Sequence, residues 1–122
     1  MVPSPTRTRI PTATPTPRES ATPARFTAFI TNFDDGTVSV LDGHRRQVVE
    51  TLRVGAGPLG LTVGAGGRVY VANFHAGSLS VIDRPGGRVV RTITVGSSAH
   101  SVAVSPDERT AYVTDTFDGL LA

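Results

Sequence analysis

The chain has no cysteine, no lysine and no tryptophan, and no uninterrupted apolar run approaches the ~20 residues that a membrane-spanning helix needs. Without cysteine, disulfides, thiolate metal sites and cysteine nucleophiles are excluded. The absence of lysine leaves all 12 basic residues as arginine, which reads as a coding bias rather than a binding surface. A net charge of +2 and a pI near 9.9 look basic, but the charge is unevenly placed. Residues 25–122 carry nine arginines against nine acids and are neutral. The surplus lies in the first 24 residues, where three arginines accompany one glutamate. No basic stripe sits on a recognisable reading module, so nucleic-acid binding is not expected.

Residues 1–24, MVPSPTRTRIPTATPTPRESATPA, hold six of the nine prolines and six threonines but no aromatic residue. Such a segment cannot bury enough apolar surface to offset its ordering entropy, and it reads as a disordered Pro/Thr-rich tail or linker. It lacks the apolar core of a secretory signal, so the chain as written is expected in the cytoplasm. A Pro/Thr-rich segment ahead of a repeat domain also resembles the linkers of exported bacterial proteins. That resemblance places the domain at the cell surface or in the periplasm if Met1 is not the natural start.

An internal repeat dominates the rest. AFITNFDDGTVSVLD, from Ala28 to Asp42, is followed 41 positions later by VYVANFHAGSLSVID, from Val69 to Asp83, and a partial third copy reads AYVTDTFDGLLA. Phe29 to Arg68 laid on Tyr70 to Arg109 without a gap matches at 13 of 40 positions, where unrelated sequence of this composition would match at roughly three. Thr110 is then a single insertion, after which Tyr112 resumes the register of Tyr70 one residue late.

Runs rich in Val, Ile, Thr, Tyr and Phe alternate with Gly, Asp, Asn and Pro clusters, and no helical apolar period persists. Strands are predicted at 26–32, 37–42, 47–54, 59–64, 68–73, 78–83, 88–95, 100–104 and 110–115. Four strands per 41 residues is the spacing of a β-propeller blade. The runs VYVA and VSVLD put apolar side chains on both faces, as expected of a sheet packed between two neighbours. A two-sheet sandwich, which short antiparallel strands at this spacing also build, is the alternative.

ITNFDDGTVSVLD, YVANFHAGSLSVID and HSVAVSPDERTAYVTD resemble the repeat of the YVTN family of β-propellers, whose relatives include surface-layer, lactonase-like and quinoprotein-like proteins. The resemblance covers residues 25–122. It implies an all-β partial propeller of four-stranded antiparallel blades: a partial blade over 25–54, a full blade over 55–95 and a partial blade over 96–122. The implied order of strands, from the channel outward, is A-B-C-D, so the chain reads B-C-D, A-B-C-D, A-B and the start of C. Three positions depart from the family pattern and read as drift in turns. GAGG at Gly64 to Gly67 replaces a Ser-Pro-Asp-Gly turn, Glu108 stands where that turn has glycine, and Asp115 replaces the asparagine of Asn32 and Asn73.

The D-to-A and B-to-C loops of such a blade share one rim, and loops on a rigid scaffold are where binding residues tend to lie. His100 opens an A strand at the channel mouth and is the one candidate for a general base, against the plainer reading of a solvated turn histidine. Asp34, Asp35, His75 and Asp118 lie in B-to-C turns and are the binding candidates, although such side chains beside glycine usually shape turns. No metal site or cofactor is expected, because oxygen-rich sites need more ligands than each blade offers here. Phosphate loops, dinucleotide fingerprints, nucleophile elbows and zinc-protease motifs are all missing.

A closed propeller takes about four to eight blades, and this chain supplies little more than two. Its terminal blades are expected to expose apolar faces and open edges, which favour association. The reading that follows is a noncatalytic repeat fragment, a truncated part of a larger protein that binds a protein or small-molecule ligand at the rim or self-associates to complete a ring. The alternative is a lactonase-like or lyase-like hydrolytic unit, active only in a completed ring.

Overall fold

β-Branched and aromatic residues between turn-forming clusters give nine strands and, among the described residues, no helix. The computed structural model describes residues 26–84 and 87–116. The strands are β1 (Thr27–Asn32), β2 (Thr37–Asp42), β3 (Gln47–Arg53), β4 (Pro58–Val63), β5 (Val69–Asn73), β6 (Ser78–Asp83), β7 (Arg88–Thr94), β8 (Ala99–Val104) and β9 (Ala111–Asp115). Each end falls within one residue of the sequence prediction. The Pro/Thr-rich segment and the start of the third strand C lie outside the described residues.

Strands pair in chain order and antiparallel, forming sheets β1-β2-β3, β4-β5-β6-β7 and β8-β9. The middle sheet is a complete A-B-C-D blade, and the other two are B-C-D and A-B. The sheets pack face to face, β1 against β4 and β3 against β7 on one side, β4 and β5 against β8 on the other. A sandwich would place these strands in two sheets. Three sheets stacked in sequence are blades.

Both faces of the middle blade are consequently buried. Val69 and Val71 of β5 point into a cluster with Val38 and Ile82, with Phe29, Leu52 and Leu61 against it. The alternate residues Tyr70 and Ala72 join Leu79, Val81, Ala99 and Val113 in a second cluster. One cluster cements each blade junction.

Val81 and Ile82, adjacent on β6, face opposite junctions by the ordinary alternation of a strand, and across from them β7 carries one extra residue, Val90, as β3 carries Val49 across from Val40 and Leu41. This bulge, at the same place in both repeats, bends strand D and leaves its extra residue without a partner on strand C. Apolar residues stand on both faces of β6 because each face meets a neighbouring sheet.

Exposure at equivalent repeat positions shows what a neighbouring blade does. Val71 is fully buried while its counterpart Ile30 in the first blade is 43% exposed, and Tyr70 is 6% exposed while Tyr112 in the third is 48% exposed. The side chains are alike in kind; the adjacent sheet is what differs.

Candidate functional site

The rim is built from the B-to-C turns and the D-to-A crossings. In the turns after β1 and β5, Gly36 N–H donates to Asn32 O (3.0 Å) and Gly77 N–H to Asn73 O (2.9 Å). Both glycines have left-handed backbones, with φ of 69° and 62°, a conformation that other residues adopt only under strain. The crossings are then pinned at both ends. Val54 N–H donates to Gly36 O (2.9 Å) in the blade being left, and Phe74 N–H donates to Gly57 O (2.7 Å) in the blade being entered.

Asparagine side chains lock these turns from beneath. Asn73 Nδ2 donates to Ser78 Oγ (3.1 Å) and Ser80 Oγ (2.8 Å), and Asn32 Nδ2 donates to Thr37 Oγ1 (3.0 Å) and Ser39 Oγ (2.8 Å). Asp115 stands at the same repeat position but does the opposite chemistry. Its Oδ2 accepts from Ser97 N–H (2.7 Å) and Ser98 N–H (2.9 Å) of the crossing. The sequence changes in step, since Leu120 and Ala122 replace Ser78 and Ser80 in the third copy and supply no hydroxyl acceptors for an amide. Asp115 is thus a coupled exchange rather than drift.

This frame holds a cluster of four rings at the rim. Phe33 and Phe74 occupy the same turn position in successive blades, and their centroids are 6.3 Å apart. The His75 ring packs with both, 4.9 Å from Phe33 and 5.5 Å from Phe74, and His100 meets Phe74 nearly edge-on at 6.3 Å. The phenyl rings are half-buried and the two imidazoles exposed. Phe33, His75, Asp34, Asp35 and Arg53 line a cleft of about 330 Å³ beside the first crossing.

Four of the five site candidates therefore share this rim. His75 and His100, unrelated by the repeat, are joined through Phe74. Asp34 and Asp35 lie exposed on the cleft. Asp118 lies outside the described residues. His100 Nδ1 lies 3.1 Å from Ser101 Oγ, so a hydroxyl and a phenyl ring border its imidazole. Among the described residues, no three His, Asp or Glu side chains are grouped to hold a metal. The cluster can grip an apolar or planar surface and offer imidazole hydrogen bonds at its margin.

On the opposite rim, the two remaining departures from the repeat explain each other. Glu108 reaches from the third blade's A-to-B turn, where its carboxylate accepts from Tyr70 Oη (2.7 Å) and from Gly66 N–H of the second blade. A β-carbon on Gly64 would stand 2.5 Å from Glu108 Oε1, and one on Gly66 would stand 2.7 Å from Oε2. The glycines of GAGG make room for the carboxylate. The Tyr70 hydrogen bond, then that from Gly66, holds Glu108 below the ordinary carboxylate value of 4.5. Burial, then the hydrogen bond to Glu108, pushes Tyr70 above its ordinary 10.0. The expectation of drift in these turns is corrected: they form a clamp between blades. A glutamate at a glycine position opposite a glycine-rich turn was the available signal.

Phe33 and Phe74 were also missed as site residues. Their identical turn position in two copies was the clue, but their approach depends on blade stacking.

No protein-family model and no curated protein sequence matches the chain. Among solved structures it is similar to Kuenenia stuttgartiensis hydrazine synthase, with a TM-score of 0.70 and 31% identity over 74% of this chain and 26% of that one. It is similar to the dihydro-heme d1 dehydrogenase NirN in complex with DHE, with a TM-score of 0.64 and 25% identity over 71% of this chain and 19% of that one. It is also similar to the WD40 β-propeller domain of Doa1, with a TM-score of 0.64 and 18% identity over 72% of this chain and 29% of that one. Stacked blades, the repeat and these neighbours define the class: the chain is a partial β-propeller. It spans less than a third of the length of each of these structures.

Proposed function

We propose that the chain is a noncatalytic section of a larger YVTN-type propeller and acts as an interaction scaffold, presenting its loop rim to a protein or small-molecule ligand. The observation that carries this reading is the four-ring cluster of Phe33, Phe74, His75 and His100. Two blades contribute a phenyl ring from the same turn position, and the two imidazoles pack on those rings, with no acid in ion-pair contact with either among the described residues. Hydrophobic and aromatic lining with a few polar groups at the edge is the composition of a binding site. The named activities of hydrazine synthase and NirN belong to enzymes of which this chain matches 26% and 19%.

The test is a titration of the full chain with a set of aromatic fragments, followed through the imidazole ring signals by NMR, alongside a lactone panel. Fragments are expected to shift His75 and His100 together, and Phe74→Ala to weaken that binding about tenfold or more, as loss of a central aromatic anchor does. No lactone turnover is expected. Lactone hydrolysis that disappears in His100→Ala would reject this reading in favour of the hydrolytic one.

A further inference from the structure

Turn aspartates elsewhere in this chain are held by the turn itself. Asp42 Oδ1 accepts from His44 N–H (2.9 Å) and Arg45 N–H (3.1 Å), and Asp107 Oδ1 accepts from Arg109 N–H (3.0 Å) and Ser105 Oγ (2.6 Å). Asp34 and Asp35 are different. Among the described residues neither carboxylate accepts a hydrogen bond or meets a cation, and their turn closes through Gly36 N–H on Asn32 O. The second blade closes the same turn with His75 and Ala76 in their places. The two carboxylates are therefore not needed to make it.

Arg53 is the third charge on the same cleft of about 330 Å³. It is exposed and forms no ion pair among the described residues, although both acids line the hollow with it. Elsewhere at this junction opposite charges do meet: Arg84 Nη1 of the second blade lies 3.8 Å from Glu50 Oε1 of the first. Arg53 pairs with Thr37 across the sheet, and Val54 N–H donates to Gly36 O, so β3 ends beside the acidic turn. At the next crossing Thr94 stands in the place of Arg53. The charged set belongs to the first crossing alone.

The remaining wall is aromatic. His75 lies over the crossing because Gly57 has no side chain; a β-carbon there would stand 2.7 Å from His75 Cδ2. Its ring is 4.9 Å from that of Phe33 and inclined to it by 59°, so the two form a corner.

We infer that this cleft binds a free α-amino acid with a planar side chain, its ammonium group held by Asp34 and Asp35, its carboxylate by Arg53 and its side chain in the corner of Phe33 and His75. An ammonium group is attracted both by carboxylates and by the face of an aromatic ring. A guanidinium presents paired donors to a carboxylate. A simple amine would leave Arg53 without an anion, and a simple acid would leave two carboxylates without a cation. A compact zwitterion satisfies both. This inference deepens the reading of the rim as a binding surface and rests on it.

The full chain is titrated with phenylalanine, 2-phenylethylamine, 3-phenylpropionate and benzyl alcohol, which share a ring and differ in charge. Binding is followed by NMR through the amide signals of residues 34–36 and 53–57 and through both imidazoles. Phenylalanine is expected to bind about two- to fivefold more tightly than either singly charged analogue, the effect of one exposed ion pair. Arg53→Thr, which copies the second repeat, should erase its advantage over the amine, and Asp34→Asn with Asp35→Ala should erase its advantage over the acid. These positions are exposed, and circular dichroism checks that each variant folds. Equal binding of phenylalanine and either analogue, an advantage that survives its variant, or no phenylalanine binding at about 10 mM overturns the inference. Benzyl alcohol separates the two readings. If it shifts His75 and His100 as strongly as phenylalanine does, the ring cluster binds and only the zwitterion assignment fails; if nothing shifts the imidazoles, both readings fail.

Discussion

Arg46 and Glu108 are the two non-glycine residues with left-handed backbone among those described, at φ of 59° and 57°. Each stands where the neighbouring repeat has glycine, Gly87 and Gly67 respectively. Their situations differ, because Glu108 gains contacts to Tyr70 and Gly66 that a glycine could not make, while the Arg46 side chain is exposed. Arg46→Gly should therefore stabilise the chain by up to about 1 kcal/mol, the left-handed strain less the added freedom of the unfolded glycine, read as a rise in melting temperature. The Glu108 contacts carry a pH signature. A carboxylate with a depressed folded pKa contributes stability above its unfolded value of about 4.5, and that contribution is lost as pH falls through the folded value. Tyr70, raised above 10.0, contributes below its unfolded value and loses that contribution as pH rises through the folded one. Melting temperature should fall on both sides of this window. Glu108→Gln should flatten the acid side and Tyr70→Phe the alkaline side; an acid limb unchanged in Glu108→Gln would show that the clamp does not hold the blades.

At the scale of the element, the hydroxyl pair on β2 and β6 and the asparagine closing β1 and β5 form a unit that the first two repeats share. Its importance should follow burial. Asn73 is fully buried with Ser78 and Ser80, whereas Asn32 is only partly buried. Asn73→Ala strands two hydroxyls away from water and should cost about 1–3 kcal/mol, with Asn32→Ala costing less. Chemical denaturation of both variants measures this, and equal losses would show that the turn rather than burial sets the value. The turn positions, strand lengths and this Asn–Ser pattern were legible from composition and spacing. The bulge at Val49 and Val90 was not, because a register shift reflects how β3 pairs with β2 and β7 with β6, which no local stretch encodes.

At the scale of the molecule, the outer faces behave as apolar surface without a sheet upon them. Ile30 and Tyr112 are half exposed where Val71 and Tyr70 are covered. Such patches drive association. Light scattering is expected to show concentration-dependent, polydisperse association that the pair Ile30→Thr and Tyr112→Thr reduces with little loss of stability. The same exchange at Val71 buries a hydroxyl between blades and should cost about 1–3 kcal/mol. A single discrete oligomer insensitive to Ile30 and Tyr112 would place the contact elsewhere.

From the sequence alone, periodicity determined the repeat and the nine strands, and the family resemblance implied their assignment to blades and the rim loops that carry Asp34, Asp35, His75 and His100. These are local properties: a strand alternates its side chains, and a turn needs glycine or a short polar residue wherever it occurs. Only the tertiary structure decided which residues meet across a junction. The Phe33, Phe74, His75 and His100 cluster, the Glu108 clamp and the ion pair of Arg84 with Glu50 each join residues from different blades. Their distances depend on how one twisted sheet stacks on the next, and stacking is set by the summed packing of two faces rather than by any single run of sequence.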